Sequence, residues 1–228
     1  MNTLTFEEAS IVRPATRLMV DIVDLRTGNI GSVIRILERI GAEPRVATEP
    51  AHIVGPSPKV LPGVGNFGHA AAAMDASGMR QALGEVRLRG TPVLGICLGA
   101  QLMCRGSEES PGRGLGWFRA EVRRFPRAAA GGAPLRVPHM GWRPIHPAVC
   151  RFPWEQPQGR MYYAHSFYIQ PDEPGAGVAM EEDYGGIRFA AAFRDGVALG
   201  VQFHPEKSHV HGMGFLRHWL RWSSEVQP

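Results

Sequence analysis

Pro92-Val93-Leu94-Gly95-Ile96-Cys97-Leu98-Gly99-Ala100-Gln101 is an apolar run ending on a cysteine that has a glycine two residues away on either side. A helix-compatible Ala-Gln-Leu-Met segment follows it. The pattern predicts a strand that turns sharply into a helix with a nucleophile at the corner, sulfur standing where hydrolases carry a hydroxyl. Glycines flank such a corner because the turn is tight, its backbone is strained and neighbouring side chains would collide. The backbone N–H of Leu98 would serve a developing oxyanion, and the helix N-terminus favours a thiolate. A buried cysteine at the end of a core strand is the competing reading, and on this stretch alone the two stand even.

A partner for the sulfur lies 107 residues downstream. Gly200-Val201-Gln202-Phe203-His204-Pro205-Glu206-Lys207-Ser208 is a second apolar strand, closed by a histidine, a proline and a glutamate. A cysteine nucleophile needs a group that takes and returns a proton near neutral pH, a task suited to imidazole. The imidazole needs an acceptor to hold one tautomer, and Glu206 can supply it. Pro205 fixes φ and keeps His204 and Glu206 in a rigid, non-helical relation. As an isolated tripeptide His-Pro-Glu is more often a loop than a site; beside an elbow cysteine it becomes a candidate triad.

Outward from these motifs the chain reads as alternating strands and helices. Leu18 to Val23 is an apolar strand, and Thr27-Gly28-Asn29 turns into a helix with Ile30, Val33, Ile34, Leu37 and Ile40 on one stripe. Gly41 sits where a helix-ending glycine belongs. Strands follow at about Pro44 to Ala47 and Lys59 to Leu61, then helices at Ala70 to Met74 and Met79 to Leu88, closing at Gly90. This alternation predicts a parallel sheet covered by helices on both faces. After about Arg113 the texture changes. Gly114 to Phe125, Tyr162 to Ile169, Val178 to Glu181, Ile187 to Phe193 and Val197 to Phe203 read as strands, Pro126 to Pro134 as a surface loop, and His209 to Trp222 as a last helix.

With 228 residues, 44% hydrophobic and 20% charged, the chain suits one globular domain with a sizeable core. No apolar run approaches the roughly 20 residues of a membrane span. Residues 1–17 read as an N-terminal extension, poorly ordered or loosely docked, rather than a secretory signal. Cys97, Cys104 and Cys150 show no metal-ligand spacing, and a thiol nucleophile favours a reducing compartment, so the expected location is cytoplasmic. The net charge of +4 and the cluster Arg119, Arg123, Arg124 and Arg127 read as a solvated face, with no recognised nucleic-acid module. No glycine loop of the phosphate-binding type is present.

Gly95-Ile96-Cys97-Leu98-Gly99 with Gln202-Phe203-His204-Pro205-Glu206 resembles the class I, triad-type glutamine amidotransferases. Leu61-Pro62-Gly63-Val64-Gly65-Asn66-Phe67-Gly68, Val137-Pro138-His139-Met140-Gly141-Trp142 and His204-Pro205-Glu206-Lys207-Ser208 add further matches. The last two resemble one branch, the glutaminase subunit of imidazole glycerol phosphate synthase in histidine biosynthesis. The resemblance runs over about residues 17–221 with its motifs in order. It implies the single-domain class I glutamine amidotransferase fold, α/β, over residues 18–222: a central, mostly parallel sheet flanked by helices, with antiparallel strands added in the second half.

The resemblance also implies the chemistry: hydrolysis of the side-chain amide of glutamine to glutamate and ammonia, without cofactor or metal. Cys97 would attack, His204 would carry the proton and Glu206 would orient His204. Leu98 N–H would be one oxyanion donor, and the loop Gly63-Val64-Gly65 would give the other through Val64 or Gly65. Glycines there let a peptide plane turn over, so a partner could complete the hole. An ordinary glycine turn is the alternative. Gln101 matches the position that holds glutamine, with Glu109 and His165-Ser166-Phe167 candidates for the same pocket. Asn29, Trp142, Tyr162 and Lys207 fall at or near the contact with a (β/α)8 cyclase/synthase subunit, which would form a heterodimer and receive the ammonia directly.

Two stretches depart from the family. The first strand runs into Asp24-Leu25-Arg26-Thr27-Gly28-Asn29 in place of Asp-Tyr-Gly-x-Gly-Asn, and Arg143 follows Trp142 where the family commonly has asparagine. Both lie towards the implied partner, so they bear on docking more than on glutaminase chemistry. Competing readings are a paralogous glutaminase feeding amidino-sugar synthesis, a catalytically silent regulatory subunit and a cysteine peptidase.

Overall fold

The computed structural model describes residues 17–28, 30–146, 151–155 and 157–226. The extension read over 1–17 lies outside these, apart from Arg17, as do Asn29 and Cys150.

The first half is built of parallel strands β1 (Met19–Val23), β2 (Glu43–Ala47), β3 (Lys59–Gly63) and β4 (Val93–Cys97). Between and after them run α1 (Gly31–Arg39), α2 (Phe67–Ala76), α3 (Met79–Leu88) and the short α4 (Leu98–Leu102). Helix α1 buries Val33, Ile36 and Leu37, and the chain leaves it through Gly41 at φ +91°. Asn66 caps α2, its Oδ1 accepting from the His69 N–H at 3.0 Å, which satisfies one of the orphan amides of the first turn.

The second half contributes β5 (Ala120–Arg124), β6 (His139–Pro144), β7 (Arg160–His165), β8 (Phe167–Pro171), β9 (Val178–Tyr184), β10 (Ile187–Asp195), β11 (Ala198–Val201) and α5 (His209–Glu225). The main sheet runs β2-β1-β3-β4-β11-β10-β8-β5, with β9 hung on β10, and β6 pairs with β7 in a separate ribbon. Strand β11 lies parallel to β4, whereas β10, β8 and β5 pair antiparallel in turn. One face of the sheet is covered by α2 and α3, burying Phe67, Met74 and Leu83; the other packs Leu37 of α1 with Phe215 and Trp219 of α5. Each such side chain contributes roughly 1.5–3 kcal/mol by leaving water. Between β1 and β3 a buried ion pair joins Asp21 and Lys59 at 2.7 Å, and Arg45 adds a second contact to Asp21 at 2.8 Å.

The mostly parallel sheet with antiparallel additions agrees with the sequence reading, and three local readings are corrected. Of Gly114 to Phe125 only Ala120–Arg124 is a strand. The amides of Gly114 to Phe118 turn instead to carbonyls of Leu102, Met103, Cys104 and Arg105, which satisfies acceptors left open behind α4. Tyr162 to Ile169 is two strands in two different sheets, broken at Ser166. Strand β6 escapes the sequence reading because the face carrying buried His139 with half-buried Gly141 and Arg143 has no apolar side chain, so hydrophobic alternation is lost.

Candidate active site

The C-terminal ends of β1, β3, β4 and β11 converge, the place where open α/β sheets bind ligands. Cys97 ends β4 at φ +53° and ψ −107°, a strained conformation for a side-chain-bearing residue, and α4 starts on the next residue. Close approach explains both flanking glycines. A Cβ on Gly99 would lie 1.7 Å from the Leu61 carbonyl oxygen, and one on Gly95 would lie 2.8 Å from Ala100 N.

Register brings the second motif to the first. Val201 pairs with Ile96 across β11 and β4, so the chain leaving β11 carries His204 to the cysteine. His204 is 2% exposed, its Nδ1 is 2.7 Å from Glu206 Oε1, and its side chain interacts electrostatically with Cys97. A carboxylate only accepts, so Nδ1 carries the proton and Nε2 is left for the sulfur. Burial works against a charge on this imidazole. The interaction with Cys97, together with the Glu206 carboxylate, outweighs it and lifts His204 to about 10. Ser208 steadies the turn, its Oγ donating to the His204 carbonyl at 2.6 Å and accepting from Tyr162 N–H at 3.0 Å. Glu206 Oε2 finds no hydrogen-bond partner among the described residues.

Cys97 opens on a cleft of about 230 Å³ that Gln101, Glu109, His165, Ser166 and Phe167 also line. Every residue placed in a glutamine pocket from the sequence therefore meets the sulfur in one space. Glu109 also accepts from Phe67 N–H at 2.7 Å, tying its loop to the start of α2. Gly63 stands opposite Cys97 in the β3–β4 register, and Val64 and Gly65, the latter at φ +108°, line the cleft mouth. A Cβ at Gly28 would sit 2.7 Å from Val64 Cγ2, so the loop after β1 buttresses this segment. Leu98 begins α4 directly behind the sulfur.

Trp142, Tyr162 and Lys207 gather beside the site. The Trp142 ring stacks on His209 at 5.2 Å and meets Tyr162 edge-on at 5.7 Å, while the Tyr162 ring lies 6.5 Å from His204. Lys207 is exposed next to Glu206. Asn29, the fourth residue read as part of a partner contact, lies outside the described residues.

Residues without a role in the sequence reading also belong here. Gln202, fully buried, donates from Nε2 to Cys97 Sγ at 3.6 Å and accepts from Gln101 Nε2 at 3.1 Å. A glutamine inside an apolar strand motif was the available signal. Cys104, by contrast, is sealed in the core; burial pushes its thiol far up, and it stays protonated. Among the described residues no cluster of metal-ligating side chains occurs, and no helix is long and apolar enough to cross a membrane.

Residues 22–221 match the family model of the class-I glutamine amidotransferases. The chain is 37% identical over 204 residues to the imidazole glycerol phosphate synthase subunit HisH of Synechocystis sp., covering 88% of this chain and 94% of that one. It is 38% identical to the HisH subunit of Bdellovibrio bacteriovorus, covering 88% and 98%. Among solved structures, a glutamine amidotransferase superposes with a TM-score of 0.70 at 19% identity, covering 90% of this chain and 98% of that chain, a likeness of fold. The chain belongs to the class-I glutamine amidotransferase family, in the group of the imidazole glycerol phosphate synthase subunit HisH.

Proposed function

We propose that this protein is the glutaminase subunit of an imidazole glycerol phosphate synthase, releasing ammonia from glutamine for a (β/α)8 synthase subunit docked over the cleft. The observation that carries the reading is the line Cys97–His204–Glu206 opening on one cleft with Gln101 and Phe167. Cys97 Sγ attacks the carboxamide carbon of glutamine, and the oxyanion is met by Leu98 N–H and an amide of the Gly63-Val64-Gly65 loop. His204 passes its proton to the departing nitrogen, which leaves as ammonia, and a thioester remains on Cys97. His204 then takes a proton from water as the hydroxide attacks the thioester, and glutamate leaves. Gln202 Nε2 donates to Cys97 Sγ and helps hold the sulfur at the corner.

Free ammonia would be protonated and diluted in bulk water, which is the reason for a docked acceptor. The aromatic pair Trp142 and Tyr162, with exposed Lys207, supplies a contact face beside the cleft. The assay is glutamate release by the purified chain, with and without a purified barrel subunit and its nucleotide substrate. Cys97→Ala should lower release by about 10³-fold or more. Unchanged release in that variant refutes the mechanism, and the absence of stimulation by the barrel subunit with its substrate refutes the pathway.

A further inference from the structure

A file of hydrogen bonds crosses the β6–β7 ribbon and ends in the cleft. Arg143 Nε donates to His139 Nε2 at 3.1 Å. His139 Nδ1 meets His165 Nε2 at 2.9 Å, and His165 Nδ1 meets the Phe167 carbonyl oxygen at 2.8 Å. The direction of every bond is forced by the two ends. A guanidinium can only donate and a carbonyl can only accept, so His139 must accept at Nε2 and donate from Nδ1, and His165 must do the same. Both imidazoles are therefore neutral Nδ1–H tautomers. Their surroundings agree: burial, with the Arg143 charge beside it, lowers His139 to about 4, and burial, with His139 beside it, lowers His165 to about 3.

The file reaches the sulfur through a second one. The Phe167 carbonyl also accepts from Gln101 Nε2 at 3.0 Å, Gln101 Nε2 gives its other hydrogen to Gln202 Oε1, and Gln202 Nε2 reaches Cys97 Sγ. Phe167 O is thus a shared acceptor, pinned from one side by Arg143 through two histidines and from the other by the residue that lines the cleft beside Cys97. The parts are well held. His139 and His165 are opposite each other in the β6–β7 register, and the His139 ring is stacked by Tyr184 at 4.1 Å, over which the Arg143 guanidinium lies at 5.1 Å. Tyr184 is itself fixed by donating to the Arg136 carbonyl at 2.7 Å.

We infer that Arg143, acting through His139 and His165, is a positioning residue for the glutamine pocket: it sets the histidine tautomers that orient the Phe167 carbonyl and, through it, Gln101. This rests on the glutaminase reading of the cleft. Without the Arg143 donor, the His139 proton can move to Nε2, and two acceptor nitrogens then face each other at the His139–His165 contact. His165 must shift, and the His165-Ser166-Phe167 wall of the pocket shifts with it. The sulfur, held by β4 and His204, is touched only at the far end of the file, so substrate affinity should suffer before turnover does.

The test uses Arg143→Met and Arg143→Gln, each assayed for glutamine KM and kcat with the barrel subunit present, together with melting curves. Glutamine places Nε2 at the same distance along the side chain as arginine Nε and restores the donor without the charge; methionine keeps the length and removes the donor. Arg143→Met should raise KM on the order of tenfold with kcat within about threefold, and Arg143→Gln should return KM to within about twofold of wild type. Nitrogen-15 spectra of the wild-type chain should show Nδ1–H on both histidines, a readout that needs no turnover. An unchanged KM in Arg143→Met, an Arg143→Gln variant as impaired as Arg143→Met, or an Nε2–H or doubly protonated form of either histidine overturns the inference. A wild-type chain that hydrolyses no glutamine overturns the glutaminase reading instead.

Discussion

Gly99→Ala is the sharpest test of how the elbow is built. A Cβ on Gly99 would stand 1.7 Å from Leu61 O and 2.8 Å from Leu61 C, both backbone atoms, whereas real Cβ contacts stay above 3.0 Å. No rotamer relieves the clash, so α4 and the end of β3 must part by about 1 Å or more in an interior packed at crystal density. That displacement separates Cys97 and Leu98 from Gly63, the residue paired with Cys97 at the strand ends. Overpacking of this kind costs about 1–3 kcal/mol in stability, and a misplacement of about 1 Å at a reacting centre costs on the order of 10²-fold in rate. Two further variants calibrate the result. Gly95→Ala meets Ala100 N at 2.8 Å and needs only a few tenths of an ångström, so it should fall between wild type and Gly99→Ala. Gly84 lies within α3 with nothing within 4 Å of its Cβ direction, and Gly84→Ala should raise stability by about 0.4–1 kcal/mol at unchanged turnover. Urea unfolding and glutamate release at saturating glutamine read both effects. A folded Gly99→Ala protein turning over within about threefold of wild type would refute the close-approach account of the elbow.

Two other expectations concern the triad. Glu206→Gln keeps the shape of the group 2.7 Å from His204 but removes the charge and allows the wrong tautomer, so kcat should fall by about 10²–10⁴-fold with KM little moved; a loss under tenfold would show that Glu206 is not the orienting acid. His204 is raised in the folded protein from 6.5 to about 10, so its stabilising share is complete below pH 6.5 and disappears as pH rises through about 10. The melting temperature of wild type minus that of His204→Asn should therefore decline between pH 7 and 10.5, and a difference that stays flat or grows over that range contradicts the coupling of His204 to the Cys97 charge.

What could be read along the chain was whatever short-range chemistry dictates. Gly95 and Gly99 around Cys97 mark a turn that only glycines allow, the β1-to-α3 alternation carries the periods of strand and helix, and Pro205 between His204 and Glu206 holds one local geometry. These suffice for an α/β sheet and for singling out Cys97 and His204 as candidates for a nucleophile and its proton carrier. Tertiary structure decided what depends on register and on polar burial. Cys97 and His204 meet because β11, arriving from the second half of the chain, inserts parallel to β4 with Val201 against Ile96. Strand β6 and the file from Arg143 to Phe167 stayed hidden because hydrogen bonding between distant polar side chains leaves no hydrophobic period to read. Local backbone preference is written residue by residue; the pairing of strands and the sharing of one carbonyl by two hydrogen-bond files exist only once the sheet has closed around them.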